Sequence, residues 1–201
     1  MEISLQTPIP PVNMLSGYMS QQETTFTVHC YDSSFKYVAA LDATGKPLFR
    51  VEGATFGTSW SWRRKVWDSS SHRRLLFDFR HKSFDIQNSW IVESPDGQKL
   101  CSFVHKANIT SKYSAVHVTV RTEAGEDVLV LMRADGYGAL KTIVSVDDVP
   151  FATIFKVNNG DVRSQRSRGS DWEVRAASGV DLSLLMAMVL CRAELGDVWK
   201  Q

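Results

Sequence analysis

From Leu182 to Cys191 the chain carries ten residues of which only Ser183 is polar, within a longer run that begins at Val180-Asp181 and ends at Leu195. A helix on a protein surface shows one apolar stripe and one polar face. This segment has no polar face, so it needs protein on every side. A bilayer crossing takes about 20 apolar residues, more than this run supplies. Val180, Leu182, Leu185, Met186, Val189 and Leu190 are therefore expected inside the molecule, as a buried central helix. The end signals agree. Asp181 can cap free amides at the start, Arg192 suits the negative end of the dipole, and Gly196 is a natural stop.

What precedes the helix reads as strand. Phe26, Val28 and Cys30 alternate with Thr25, Thr27 and His29, the period of a half-buried strand. Phe35 to Leu41 and Leu48 to Val51 flank a turn at Asp42-Ala43-Thr44-Gly45-Lys46. A second hairpin is expected from Ser61–Trp67 and Arg74–Arg80, turning through residues 68–72. A third joins Phe84–Val92 to Leu100–His105 through Ser94-Pro95-Asp96-Gly97. In the fourth, Val116, Val118 and Val120 alternate with His117, Thr119 and Arg121, and Val128 to Arg133 returns. The fifth runs from Leu140 to Val146, turns at Asp147-Asp148 and continues from Pro150 to Val157. Asn158-Asn159-Gly160 ends that arm, and Trp172 to Ala176 is the last strand.

That makes about eleven or twelve short strands with no βαβ alternation. So many antiparallel strands must curl or close to hide their edges. Closing them around the final helix also covers its apolar surface. The expected fold is thus mainly β, a closed antiparallel barrel around a hydrophobic C-terminal helix. Residues 1–23, with Pro8, Pro10 and Pro11, read as an extended tail or edge segment. Residues 24–201 read as a single domain.

Composition narrows the function classes. The net charge is +1, so no global field draws the chain to nucleic acid or to a membrane. The three cysteines, Cys30, Cys101 and Cys191, are far apart and odd in number, which points to a reducing compartment without a disulfide framework. The N-terminus shows no basic segment followed by an apolar run, so an intracellular, cytoplasmic protein is expected, membrane-peripheral or nuclear places included. Asn108-Ile109-Thr110 fits a glycosylation sequon that has no consequence without secretion.

Several motifs together resemble the LURP-one-related family of the tubby C-terminal-like superfamily. Residues 41–51, Leu-Asp-Ala-Thr-Gly-Lys-Pro-Leu-Phe-Arg-Val, are similar to its early D-x-x-G-x-x-L-F-x-V hairpin, and Phe56-Gly57 follows. Phe79-Arg80-His81-Lys82 resembles its short basic stretch, with Trp90 after it. Val149-Pro150-Phe151-Ala152-Thr153-Ile154 is similar to its late strand, and Val180-Asp181 with the apolar run to its final helix. The similarity spans roughly residues 24–195. It implies a twelve-stranded barrel threaded by the C-terminal helix. The departures are the N-terminal tail, a longer Arg/Ser-rich loop at 161–170, and Ser178-Gly179. The diagnostic C-terminal sequence of tubby itself is absent, so its lipid-reading residues cannot be placed here by motif.

Chemistry-bearing motifs are missing: there is no HExxH, Walker loop, GxSxG or GxGxxG, and no enzyme, metal or cofactor is expected. His29, His72, His81, His105 and His117 are scattered; His105 and His117 fall on separate strands and could meet, though two unrelated histidines is the simpler reading. Cys30 shares a face with Phe26 and Val28, which reads as core rather than nucleophile. Between Trp60 and Lys82, by contrast, seven basic residues, Arg63, Arg64, Lys65, Arg73, Arg74, Arg80 and Lys82, face only Asp68 and Asp78. Trp60, Trp62 and Trp67 interleave with them. Alternation on a hairpin would put some of these charges on one outer face, where arginine and tryptophan can hold an anionic headgroup at a membrane surface. The same mixture could grip RNA, and a solvated face over core tryptophans is the bland alternative. Arg163, Arg166 and Arg168, among Ser164, Ser167 and Ser170, make a second patch that reads as a solvated loop or a phosphorylation target.

Three functions follow from this. The first is a non-catalytic domain for anionic phospholipid headgroups such as phosphoinositides, which rests on the basic hairpin and on the likeness to tubby-type domains. The second is a protein-interaction or stress- and defence-response scaffold, which the LURP-one-related resemblance allows. The third is a small-molecule-binding barrel, disfavoured because the helix should fill the lumen.

Overall fold

The structure, a computed structural model, describes residues 3–32, 36–53, 63–69, 73–82, 89–106, 115–135, 140–157 and 169–195. Twelve strands precede one helix: β1 Thr24–Cys30, β2 Tyr37–Asp42, β3 Pro47–Gly53, β4 Arg64–Asp68, β5 Leu75–His81, β6 Ser89–Glu93, β7 Lys99–Lys106, β8 Ala115–Arg121, β9 Asp127–Asp135, β10 Lys141–Val146, β11 Val149–Val157, β12 Ser170–Ala176 and α1 Leu182–Leu195. Each strand pairs antiparallel with its sequence neighbours, and β1 pairs with β12 to close the barrel. An even number of alternating strands lets first and last meet antiparallel, Thr24 opposite Ala176 and Cys30 opposite Ser170. Closure leaves no open edge.

The expected architecture is the one observed, and α1 is enclosed by the strands. Leu184 through Cys191 are each fully buried, Val180 and Leu195 nearly so, and Leu182 is half-buried. The inward residues of the strands meet them: Phe26, Val28, Phe77, Phe103, Val118 and Ile154 among them. At about 25 cal/mol per Å2 of apolar surface buried, a helix apolar all round belongs nowhere else.

The turns explain the register. Asp147 and Asp148 both have positive φ, 47° and 64°, as a two-residue hairpin that follows strand twist requires. At 42–46, Asp42 accepts bonds from the Thr44 and Lys46 amides and from the Thr44 hydroxyl, and Gly45 sits at φ 84°. The connections at this end of the barrel are short. Residues 61–62 and 84–88 of the predicted arms, the Asn108 sequon, the Arg163–Arg168 patch and Gly196 lie outside the described residues.

Residues 3–23 cross the short-turn end. The Gln6 amide donates to the Pro150 carbonyl and the Thr7 hydroxyl to that of Ser178. Val12 and Met14 join the core, with Leu5, Leu15 and Tyr18 packed against it. Thr7 also presses on Gly179, where a Cβ would stand 2.9 Å from its methyl and φ is 76°, so glycine is required twice over. The crossing is fixed at Asp181, which is fully buried. Its Oδ2 accepts from the Met14 and Leu15 amides at 2.7 and 2.8 Å, and its Oδ1 from the Ser183 amide and hydroxyl and the Leu184 amide. The sequence-expected cap is therefore also a latch for the N-terminal segment. Burial pushes this carboxyl above the ordinary aspartate range, and the hydrogen bonds pull against that shift.

Candidate functional site

The basic hairpin is β4 and β5, and its residues divide by strand alternation. Val66, Phe77 and Phe79 point into the barrel with Arg64, while Lys65, Asp78 and Arg80 belong to the outer face. Register sets Lys65 opposite Asp78 and Asp78 opposite Glu93. Arg63 lies just before β4, Lys82 just after β5, and Arg73 and Arg74 in the turn between the strands.

The outer face is largely neutralised from within. The Arg63 guanidinium meets Asp78 at 2.6 Å and Glu93 at 3.7 Å, and Lys65 meets Asp78 at 3.4 Å. Arg80 holds Glu93 by two parallel bonds, Nε to Oε2 at 2.9 Å and Nη2 to Oε1 at 2.6 Å. That pairing holds the Glu93 carboxyl below the usual glutamate range and raises the Arg80 guanidinium. Arg64 is not on the outer face at all. It is 4% exposed and ion-paired to Glu194 of α1, whose other oxygen accepts the Trp90 indole N–H at 3.0 Å. It reaches inward because it occupies a core-facing position of β4 and finds the one acidic residue of the helix.

The turn residues are different. Arg73 and Arg74 are exposed, and neither lies within ion-pair distance of a carboxylate among the described residues. Arg74 lies 3.4 Å from the Tyr18 hydroxyl, which donates to Asp68 at 2.6 Å. Burial and the Asp68 carboxylate raise the Tyr18 phenol. Lys82 is exposed at the far end of β5, and its amide donates to the Ser89 carbonyl. The seven predicted positions therefore form three groups: an outer ion network of Arg63, Lys65 and Arg80; buried Arg64; and the two turn arginines, with Lys82 remote from them. Trp67 is half-buried on the outer face; Trp60 and Trp62 lie outside the described residues.

Sequence reasoning counted charge along the hairpin and so missed Glu93 and Glu194, which sit on β6 and α1. A signal existed for Glu194, since an acid next to a buried apolar run needs a partner. His105 and His117 are brought to adjacent strands but opposite faces, His105 opposite Val116 and His117 opposite Val104. Burial lowers both imidazoles, and Lys106 and Arg133 add to the effect on His117. Among the described residues no group of three or more His, Cys, Asp or Glu is placed to hold a metal ion. Cys30 is buried, and its thiol is pushed up to about 12 by that burial. No helix among the described residues is long and apolar enough to cross a membrane.

In a search of the solved structures, the chain is similar to the X-ray structure of an Arabidopsis thaliana protein, AT5G01750, with 15% identity over 93% of this chain and 96% of that one, and a TM-score of 0.55. At that identity the likeness concerns the fold. No curated protein matches the chain. The LURP-one-related model matches residues 24–193, from the first residue of β1 into the last turn of α1, and the chain belongs to that family.

Proposed function

We propose that this domain is a non-catalytic binding module that recognises anionic phospholipid headgroups through the β4–β5 turn. The observation that carries the reading is the pair Arg73 and Arg74, exposed side by side and unmatched by a carboxylate among the described residues. Their neighbours Arg63, Lys65 and Arg80 already hold Asp78 and Glu93, so releasing them to a ligand would break existing pairs. Two adjacent guanidiniums offer forked donors that fit phosphate oxygens. Wild-type protein is expected to sediment with phosphatidylcholine vesicles containing phosphoinositide and not with phosphatidylcholine alone. The double variant Arg73→Glu/Arg74→Glu should lose this, Lys65→Gln should keep it, and about 0.5 M salt should abolish it. Equal sedimentation of wild type and the double variant ends the proposal.

A second reading, a protein-interaction scaffold, draws on Tyr31 and Tyr37, which are 62% and 60% exposed and joined by a backbone hydrogen bond. Exposed tyrosines are common anchors of interfaces. It requires a partner held at high salt and released by Tyr31→Ser/Tyr37→Ser. A ligand inside the barrel has no such support, because α1 fills the lumen.

A further inference from the structure

The outer surface of β2, β3 and β4 carries a cleft of about 680 Å3 that shares Arg73 with the headgroup reading and Tyr31 with the scaffold reading, and adds a floor and walls that neither uses. That is the size of many small-molecule sites. Register builds it: Ala39 of β2 stands opposite Arg50 of β3, and Arg50 opposite Trp67 of β4. Ala39 and Leu41 form a low apolar floor. Tyr31 and Trp67 supply aromatic walls, and Arg50 and Arg73 bring guanidiniums to the lining. An alanine between bulky neighbours leaves a slot where a larger side chain would fill it.

We infer that this cleft binds a small organic anion with a flat apolar body, of the aryl carboxylate or aryl sulfonate class. The apolar floor and the aromatic walls favour a ring, by burial and by stacking. The two guanidiniums favour a negative group on that ring. Arg50 reaches Glu52 through one Nη2 contact at 2.8 Å, with both side chains half open to solvent, which leaves donors on its fork. Arg73 has no ion pair among the described residues and holds φ at 40°, the left-handed region, without being glycine. The acid of the lining, Asp68, already accepts the Tyr18 hydroxyl. Trp67 Nε1 is buried with no hydrogen-bond partner among the described residues. A turn of that indole toward a bound anion therefore breaks no bond and supplies a donor. The site goes beyond the headgroup reading. Vesicle binding needs only the turn cations, whereas this ligand needs Arg73 together with Ala39 and Trp67.

The test is a titration with 2-naphthoate, read on the indole 15N–1H signals, with Trp67 assigned through Trp67→Phe. A saturable, sub-millimolar shift of the Trp67 signal is expected. 2-Naphthamide, which lacks the charge, and inorganic phosphate, which lacks the ring, should bind at least tenfold more weakly. Ala39→Leu fills the floor on a solvent-side position and should weaken naphthoate at least tenfold, with the remaining indole signals unmoved. Arg73→Gln, at an exposed residue that leaves the core untouched, should do the same. Ala39→Leu should still sediment with phosphoinositide vesicles, which separates this proposal from the other. No saturable shift, equal binding of naphthamide, or unchanged affinity in either variant overturns it.

Discussion

Asp181 carries two duties in one carboxylate, the helix cap and the hold on the N-terminal segment. Asp181→Ala removes the cap and leaves the buried Met14 amide and the half-buried Leu15 amide without this acceptor. A cap is worth about 1 kcal/mol and each orphaned buried donor about 1–3 kcal/mol, so a loss of about 3 kcal/mol is expected in urea denaturation. Early proteolytic cuts within residues 3–23 should accompany it. The three thiols make a second residue-scale case. All are buried; burial pushes Cys30 to about 12 and drives Cys101 and Cys191 up as well. The thiolate is the reactive form. All three should therefore resist a thiol reagent in native buffer and react only as fast as the protein unfolds. Arg192, read from sequence as a complement to the helix dipole, is 3% exposed. It donates to the Thr142 hydroxyl at 3.2 Å and lies over the Trp172 ring. Burial lowers its guanidinium to about 10.

At the scale of elements, the helix was plain in the sequence because a run without a polar face has one stable setting. Leu185 touches no solvent, so Leu185→Ala should cost about 2–5 kcal/mol by leaving a cavity. The strands were nearly as legible, since alternation fixes which face each residue takes. The candidate site was not. Charge along one hairpin says nothing of the strand beside it: Asp78 could be counted on β5, but Glu93 becomes a counter-ion to Arg80 and Arg63 only once β5 and β6 are in register. Their pairing carries a sign that can be measured. Glu93 is depressed by Arg80, so its contribution is full above the unfolded glutamate value and is lost as pH falls through the lower folded one. Arg80→Gln should thus destabilise by about 1–2 kcal/mol at pH 7. The gap between variant and wild type should narrow as the pH falls below the ordinary glutamate range, followed by denaturant midpoints at each pH. A gap constant with pH would show that the ion pair is not its source.

As a whole molecule, the barrel is a meander in which every strand pairs with its neighbours in the chain, and one seam, β1 against β12, closes it. The short-turn end is sealed by residues 3–23. Sequence read these as a tail or edge because their prolines exclude a helix, and no local pattern reveals that Val12 and Met14 enter the core. Their role is set by contacts with residues about 165 positions away, such as Met14 with Asp181, where the separation is 167. Ribosomes deliver the twelve strands before the rod they must wrap. A nascent chain that has reached Ala176 holds its walls and nothing to fill them, so the last ten or so apolar side chains act as a completion signal. Until they emerge, the sheet has no interior to collapse upon, and a message cut short before Val180 yields a product that cannot ripen into a barrel.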